Sequence, residues 1–164
     1  MTAVDTGMPR IVAVGAGRMG RGIAIAFAYA GHRVSLVDLR TRSDEAWSKL
    51  ADEANAEIEG SLAGLAALGV LDAAQAKRIA QRVHLVRAAD APRALAAAEM
   101  VFEGVPETIE AKREAFEHIN AHCADTAILT STTSSILVTQ IAQFVKRPER
   151  FLNVHWLNPA YVIP

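Results

Sequence analysis

The sequence predicts an α/β fold, a doubly wound parallel sheet, and two observations carry that expectation. Short apolar runs of four or five residues recur along the chain, each closed by a glycine or a polar residue, as for strands buried on both faces. Longer stretches rich in Ala, Leu and Glu separate them, so strands alternate with helices. That alternation favours a parallel sheet covered on both sides.

Each element has its own signal. Residues 10–14, Arg-Ile-Val-Ala-Val, form a first strand stopped by Gly15. Residues 18–30, rich in Ala and Ile, read as a helix that Gly31 ends. Residues 33–37 form a second strand, closed by Asp38. Strand, glycine turn, helix and strand make a βαβ unit. Residues 41–68 contain no proline and should be helical, with a break expected near Gly60 or Gly64. Asp72 is placed to cap a short helix running to residue 80. Strands are then expected at 83–86, 100–103, 126–130 and 151–155, and helices at 91–97, 107–123 and 136–144. Pro106 suits the first turn of the helix over 107–123.

Bulk properties exclude several classes. The 164 residues suit one domain with a real core, expected over residues 10–164 behind a loose tail at 1–9. The net charge of −1 leaves no broad basic footprint for nucleic acid. A single cysteine, Cys123, excludes an internal disulfide framework and fits a reducing compartment. No apolar run is long enough to span a bilayer, and the start lacks the blocks of a signal peptide, so a cytoplasmic location is expected. The abrupt end at Pro164 suggests a chain cut short of a further segment.

The hexapeptide Gly15-Ala16-Gly17-Arg18-Met19-Gly20 fits Gly-x-Gly-x-x-Gly. In such a turn the first glycine permits the tight exit from the strand. The second lets a pyrophosphate approach the backbone, and the third lets helix and strand pack closely. The helix start then offers free N–H groups and a partial positive charge. A ligand-free glycine turn would fit the hexapeptide equally well. The context decides between them, because Asp38 follows Gly15 by 23 residues, near the roughly 20 expected for the acid that bonds an adenosine ribose. The six-strand pattern with this turn is that of the Rossmann dinucleotide fold. A carboxylate at Asp38 would repel a 2′-phosphate, favouring NAD over NADP. Arg40 and Arg42 read as solvated loop residues.

Three later segments fall at strand ends, where open α/β sheets bind ligands. They are Phe102-Glu-Gly-Val-Pro-Glu107 followed by Lys112, Ser131-Thr-Thr-Ser-Ser135, and His155-Trp-Leu-Asn-Pro159. With these in place the chain resembles the N-terminal NAD-binding domain of the L-3-hydroxyacyl-CoA dehydrogenase family. That family shows Gly-x-Gly-x-Met-Gly, Ser-Asn-Thr-Ser-Ser and His-Phe-Phe-Asn-Pro in the same order. The resemblance implies a Rossmann domain that transfers hydride between NAD and the 3-hydroxyl carbon of an acyl-CoA, as in fatty-acid β-oxidation. It implies that His155 is the catalytic base, that Ser134 lies near the substrate hydroxyl and the nicotinamide, and that Asn158 contacts the cofactor. It further implies that Glu107 and Lys112 line the NAD ribose and nicotinamide.

The residues themselves bear on these roles. Oxidising a secondary alcohol needs a base for its proton while hydride leaves the carbon, and imidazole titrates near neutrality. A lone histidine is more often a core residue bonded to backbone, but the strand-end position before Asn158 favours chemistry. Ser131–Ser135 could equally cap the helix expected near Ile136. Lys112 lies beside the core stripe Ile109, Phe116, Ile119 and Cys123, so its stem can pack while its charge reaches the strand ends. His118 and His122 fall on the opposite, solvated face. No metal site is expected.

The chain departs from the family at Thr132, at Trp156-Leu157 and at Tyr161. The Pro159-x-Tyr161 stretch resembles relatives that act on free hydroxy acids, such as gulonate and carnitine dehydrogenases. A non-catalytic NAD-binding module is a further alternative, which the joint presence of His155, Ser134 and Asn158 disfavours. The family also carries a glutamate that orients the histidine and a C-terminal helical domain with the homodimer contacts. Both would lie past Pro164, so the chain alone is expected to bind NAD yet turn over poorly.

Overall fold

The computed structural model describes residues 8–162. Most of the tail expected at 1–9 therefore lies outside the described residues. Six parallel strands form one sheet: β1 (Ile11–Val14), β2 (Val34–Val37), β3 (Val83–Val86), β4 (Met100–Glu103), β5 (Ile128–Ser131) and β6 (Phe151–Asn153). Their order across the sheet is β3-β2-β1-β4-β5-β6. The chain winds outward from β1 in one direction and from β4 in the other. The crevice between their carboxyl ends is the switch point where such sheets bind ligands.

Six helices cover the two faces: α1 (Arg18–Tyr29), α2 (Asp44–Ala67), α3 (Ala73–Ala80), α4 (Ala91–Ala96), α5 (Ile109–His122) and α6 (Val138–Ala142). Alternation along β1 sorts the core. Ile11 and Ala13 face α1, α2 and α3 with Ile23, Ile58, Leu62 and Ile79. Val12 and Val14 face α4, α5 and α6 with Leu95, Phe116, Ile119 and Ile141.

The strands expected at 126–130 and 151–155 span 128–131 and 151–153, and three helices differ from the sequence expectation by more than one residue. Helix α2 runs unbroken through Gly60 and Gly64. Both glycines lie where an added Cβ would meet nothing within 4 Å, on the open side of the helix. Each costs about 1 kcal/mol of helix propensity, and the stripe Ala54, Ile58 and Leu62 buried against the core outweighs it. Helix α5 starts at Ile109 because the Thr108 hydroxyl caps it, accepting from the Ala111 N–H at 3.2 Å. Pro106 and Glu107 therefore precede the helix and are free to shape a loop. Helix α6 is shorter than expected, since residues 132–137 form a loop with other commitments. Asp72 caps α3 as expected, in a reciprocal box with Gln75.

Candidate functional site

Register aligns the site. Val14 pairs with Val37 on one side and Glu103 on the other, Glu103 with Ser131, and Ser131 with Asn153. The first residues past these pairs, Gly15, Asp38, Gly104, Thr132 and Val154, form one row along the sheet edge. Each donates its N–H to the last carbonyl of a neighbouring strand, as in Gly15 N to Val37 O at 2.8 Å and Val154 N to Ser131 O at 2.9 Å. All three later motifs thus meet at the carboxyl ends of the strands.

The glycine turn borders a cavity of about 550 Å³ lined by Gly15–Arg18, Asp38, Arg42 and Val105 among others. Gly15 has φ +103°, and an added Cβ would sit 2.8 Å from the Gly104 carbonyl oxygen. Only glycine satisfies both the turn and that approach. At Gly20 an added Cβ would fall 1.9 Å from the Gly15 carbonyl oxygen, so helix and turn touch there. Gly17 differs. Its φ is −81°, an added Cβ would meet nothing within 4 Å, and it lines the cavity as the N-cap of α1. No side chain caps α1 and no acid occupies its first turn. The early N–H groups of α1 therefore face the cavity without an intrahelical acceptor. An open Cβ position over unpaired donors, with Arg18 and Arg21 alongside, fits a diphosphate.

That contrast gives a prediction. Gly17→Ala should cost no more than about 1 kcal/mol of stability, the penalty for alanine at an N-cap, yet weaken NADH binding about tenfold or more. Fluorescence titration and a thermal melt measure the two effects separately. Tight NADH binding by the alanine variant would place the diphosphate elsewhere.

Asp38 is 6% exposed at the far end of the cavity. Its carboxylate accepts from Arg42 Nε at 2.5 Å and, more distantly, from the Arg40 N–H at 3.4 Å. This corrects the reading of Arg42 as a solvated loop residue. The i, i+4 reach across the β2–α2 loop brings the guanidinium back onto the acid.

The other half of the site is a buried charge relay. Glu103 and Lys112 are both fully buried. The Lys112 ammonium donates to Glu103 Oε1 at 3.0 Å and Oε2 at 3.1 Å, and lies 3.2 Å from Glu107 Oε2. Glu103 also accepts from the Val105 N–H at 2.8 Å and the Ser131 hydroxyl at 2.5 Å. Glu107 Oε1 accepts from the Thr133 hydroxyl at 2.7 Å, the Ser134 N–H at 2.8 Å, and the Ser135 N–H and hydroxyl at 2.9 and 3.1 Å. Desolvation alone would raise the Glu107 pKa. The bonds from Thr133, Ser135 and Ser134 and the charge of Lys112 outweigh it and hold the carboxyl well below its usual range. The resulting stability is fully present at neutral pH and is lost only as pH falls through and below the ordinary glutamate range.

As the sequence reading expected, the Lys112 stem packs and its charge reaches a strand end, where it is enclosed between Glu103 and Glu107. Glu107 spends its near oxygen on the serine loop. Neither residue borders the cavity over the glycine turn. Thr133, not Ser134, makes the local turn, accepting from the Ile136 N–H at 3.1 Å. Ser134 is exposed and bonds Glu107 through its backbone. Glu103, Ser131 and Thr133 were not singled out from sequence. The signal was present, since Glu103 is a charge ending an otherwise apolar strand.

His155 follows β6 and is exposed. Its neighbour Trp156 turns inward against Phe27 and Phe102, with ring centroids 5.9 and 6.2 Å away. That anchor faces the histidine outward. Asn158, also exposed, precedes a cis peptide to Pro159. The Asn153 amide donates to the Thr133 carbonyl at 3.4 Å, tying the β6 end to the serine loop. Ser134 and His155 follow β5 and β6, and the chain then runs back over α1, where Trp156 packs on Phe27 and Ala160 lies against Gly22; none of His155, Ser134 and Asn158 lines the cavity over the glycine turn.

Comparison with known proteins bears on this arrangement. Residues 10–164 match the family model described as 3-hydroxyacyl-CoA dehydrogenase, NAD binding domain. The chain belongs to this family. Among relatives of this NAD-binding domain is the 3-hydroxyadipyl-CoA dehydrogenase of Escherichia coli K12, 36% identical over 93% of this chain and 30% of that protein. A probable 3-hydroxybutyryl-CoA dehydrogenase of Bacillus subtilis is 31% identical over 94% of the chain and 50% of its own length. The crystal structure of 3-hydroxybutyryl-CoA dehydrogenase from Escherichia coli K12 superposes with a TM-score of 0.80 at 35% identity, covering 94% of this chain and 31% of that one. The NAD-binding domain therefore spans half or less of the length of these three relatives. Among the described residues, no helix is long and apolar enough to cross a membrane.

Proposed function

We propose that this domain holds NAD across the β1–β4 crevice for an oxidoreductase that interconverts the 3-hydroxyl and 3-keto forms of an L-3-hydroxyacyl-CoA. The observation that carries the reading is the row of strand ends. It sets the open Gly17 backbone and α1 donors on one side and the serine loop and His155 on the other. Bound NAD would accept or return the hydride. The residues of this chain do the rest. Gly15–Gly20 and the α1 N-terminus grip the diphosphate, and Asp38 accepts the adenosine ribose hydroxyls. His155 takes the substrate hydroxyl proton as hydride departs and returns it in reverse. Ser134 and Asn158 orient substrate and cofactor from the neighbouring strand ends, and the Glu107–Lys112 pair holds Ser134 in place. We further assign the whole protein a reducing compartment, the cytoplasm, and a homodimer built through residues beyond this domain.

Two measurements test the proposal. NADH should quench or transfer from the tryptophan fluorescence of this chain with saturable binding. NADH oxidation should follow addition of acetoacetyl-CoA when the domain is joined to the part of the Bacillus subtilis relative that it does not cover. Turnover of NAD with a free hydroxy acid such as carnitine, and none with acetoacetyl-CoA, would replace the thioester by the free acid. Absence of NADH binding would remove the whole reading.

A further inference from the structure

Doubly wound folds choose their dinucleotide after the second strand. An acid there bonds the ribose 2′-hydroxyl of NAD, whereas a nearby arginine accommodates the 2′-phosphate of NADP. This chain carries both, and the structure brings them into contact. The Arg42 guanidinium sits on the Asp38 carboxylate, so the acid that should repel a 2′-phosphate is already neutralised. Arg42 is part-exposed, and Arg40 is exposed with no ion-pair partner among the described residues. Both line the nucleotide cavity.

Both also line a second cavity, of about 430 Å³, that abuts the first. Its wall adds Trp47 and Arg87, with the Arg87 guanidinium 5.5 Å from the Trp47 ring and 2.7 Å from Asp44. Three guanidinium groups thus face two carboxylates, Asp38 and Asp44. His118 stands at the rim shared by the two cavities. The nucleotide site therefore opens, beside the ribose acid, into a pocket with positive charge to spare.

The geometry points to Arg42 as the residue that sets dinucleotide choice, forming with Arg40 a phosphomonoester subsite that admits NADP as well as NAD. With NAD bound, the Arg42 guanidinium stays on Asp38 and makes no contact with the cofactor, so NAD binding does not depend on it. With NADP bound, the guanidinium turns from the carboxylate to the 2′-phosphate, which it can grip through two N–H groups, and Arg40 closes from the solvent side. This inference rests on the proposal that the cavity holds the adenosine half of a dinucleotide.

Titration of this chain with NADH and NADPH, followed by fluorescence, tests it. The unaltered chain should bind NADPH within about tenfold of NADH. Arg42→Ala should weaken NADPH about tenfold or more, as for a lost hydrogen bond to a charged group, and leave NADH within about threefold. Arg42→Lys should restore part of the loss, and Arg40→Ala should weaken NADPH selectively to a smaller degree. Equal losses for both dinucleotides, or an unchanged ratio, would overturn the role of Arg42 while leaving NAD binding in place. Failure of the unaltered chain to bind NADH would instead overturn the assignment of the cavity, and this inference with it.

Discussion

Exchange of His155 for glutamine should lower kcat by about 10²- to 10⁴-fold, the range for loss of a general base, while NADH affinity stays within about twofold. The assay is NADH oxidation with acetoacetyl-CoA in the joined chain, and the control is NADH titration of the same variant. The two readouts separate because His155 lies past β6, outside the cavity over the glycine turn. Glutamine keeps a polar side chain of similar reach but cannot carry the proton at neutral pH. The fold should tolerate it, since His155 is exposed and the anchor at that strand end is Trp156. Retention of full turnover by the glutamine variant would assign the proton to another group. A loss of NADH affinity matching the loss of rate would mean that the imidazole binds cofactor instead.

What the sequence revealed follows from range. The βαβ start was legible because its signals are local: an apolar run, three glycines at fixed spacing, and an acid after the next strand. The structure places Gly15–Met19 and Asp38 around one cavity, with Gly20 packed on the turn itself. The capping box at Asp72 was legible for the same reason. The break expected in α2 was not found, because glycine propensity is weak evidence against a buried stripe on the opposite side. The partners of Glu103 and Glu107 were hidden for a different reason. Lys112 looked like a reaching cation because its stem lies beside a core stripe. Nothing local announces that Glu103, nine residues earlier on a different element, takes up its ammonium. Glu107 and the serine loop are farther apart still, at 26 to 28 residues. The ion pairs depend on how α5 packs on β4, and the bonds to the serine loop on the register of β4 against β5, which the strand pattern alone leaves open.

That hidden relay supports the second prediction. Lys112→Met should cost about 3–5 kcal/mol, the penalty for leaving a buried charge without its partner. For a domain of this size each kcal/mol is worth about 2–4 °C, so the melting temperature should fall by about 10 °C. Two things compound the loss. Glu103 keeps its bonds from Ser131 and Val105 but must bury its charge or take up a proton. Glu107 loses the cation that helps hold it ionised, which loosens its grip on residues 133–135. The remedy follows from the same geometry. Glu103→Gln added to Lys112→Met removes the orphaned charge; its amide oxygen still accepts from the Val105 N–H while its NH2 donates to the Ser131 hydroxyl, so the double variant should regain most of the stability. A buried pair replaced as a unit is often close to neutral, whereas one partner removed alone is costly. Thermal melts of the two single variants and the double variant close the cycle. Losses that simply add would show that Glu103 and Lys112 act independently. A double variant that recovers stability but not NADH-dependent turnover would locate the relay's purpose in holding the serine loop, with Ser134, against the substrate.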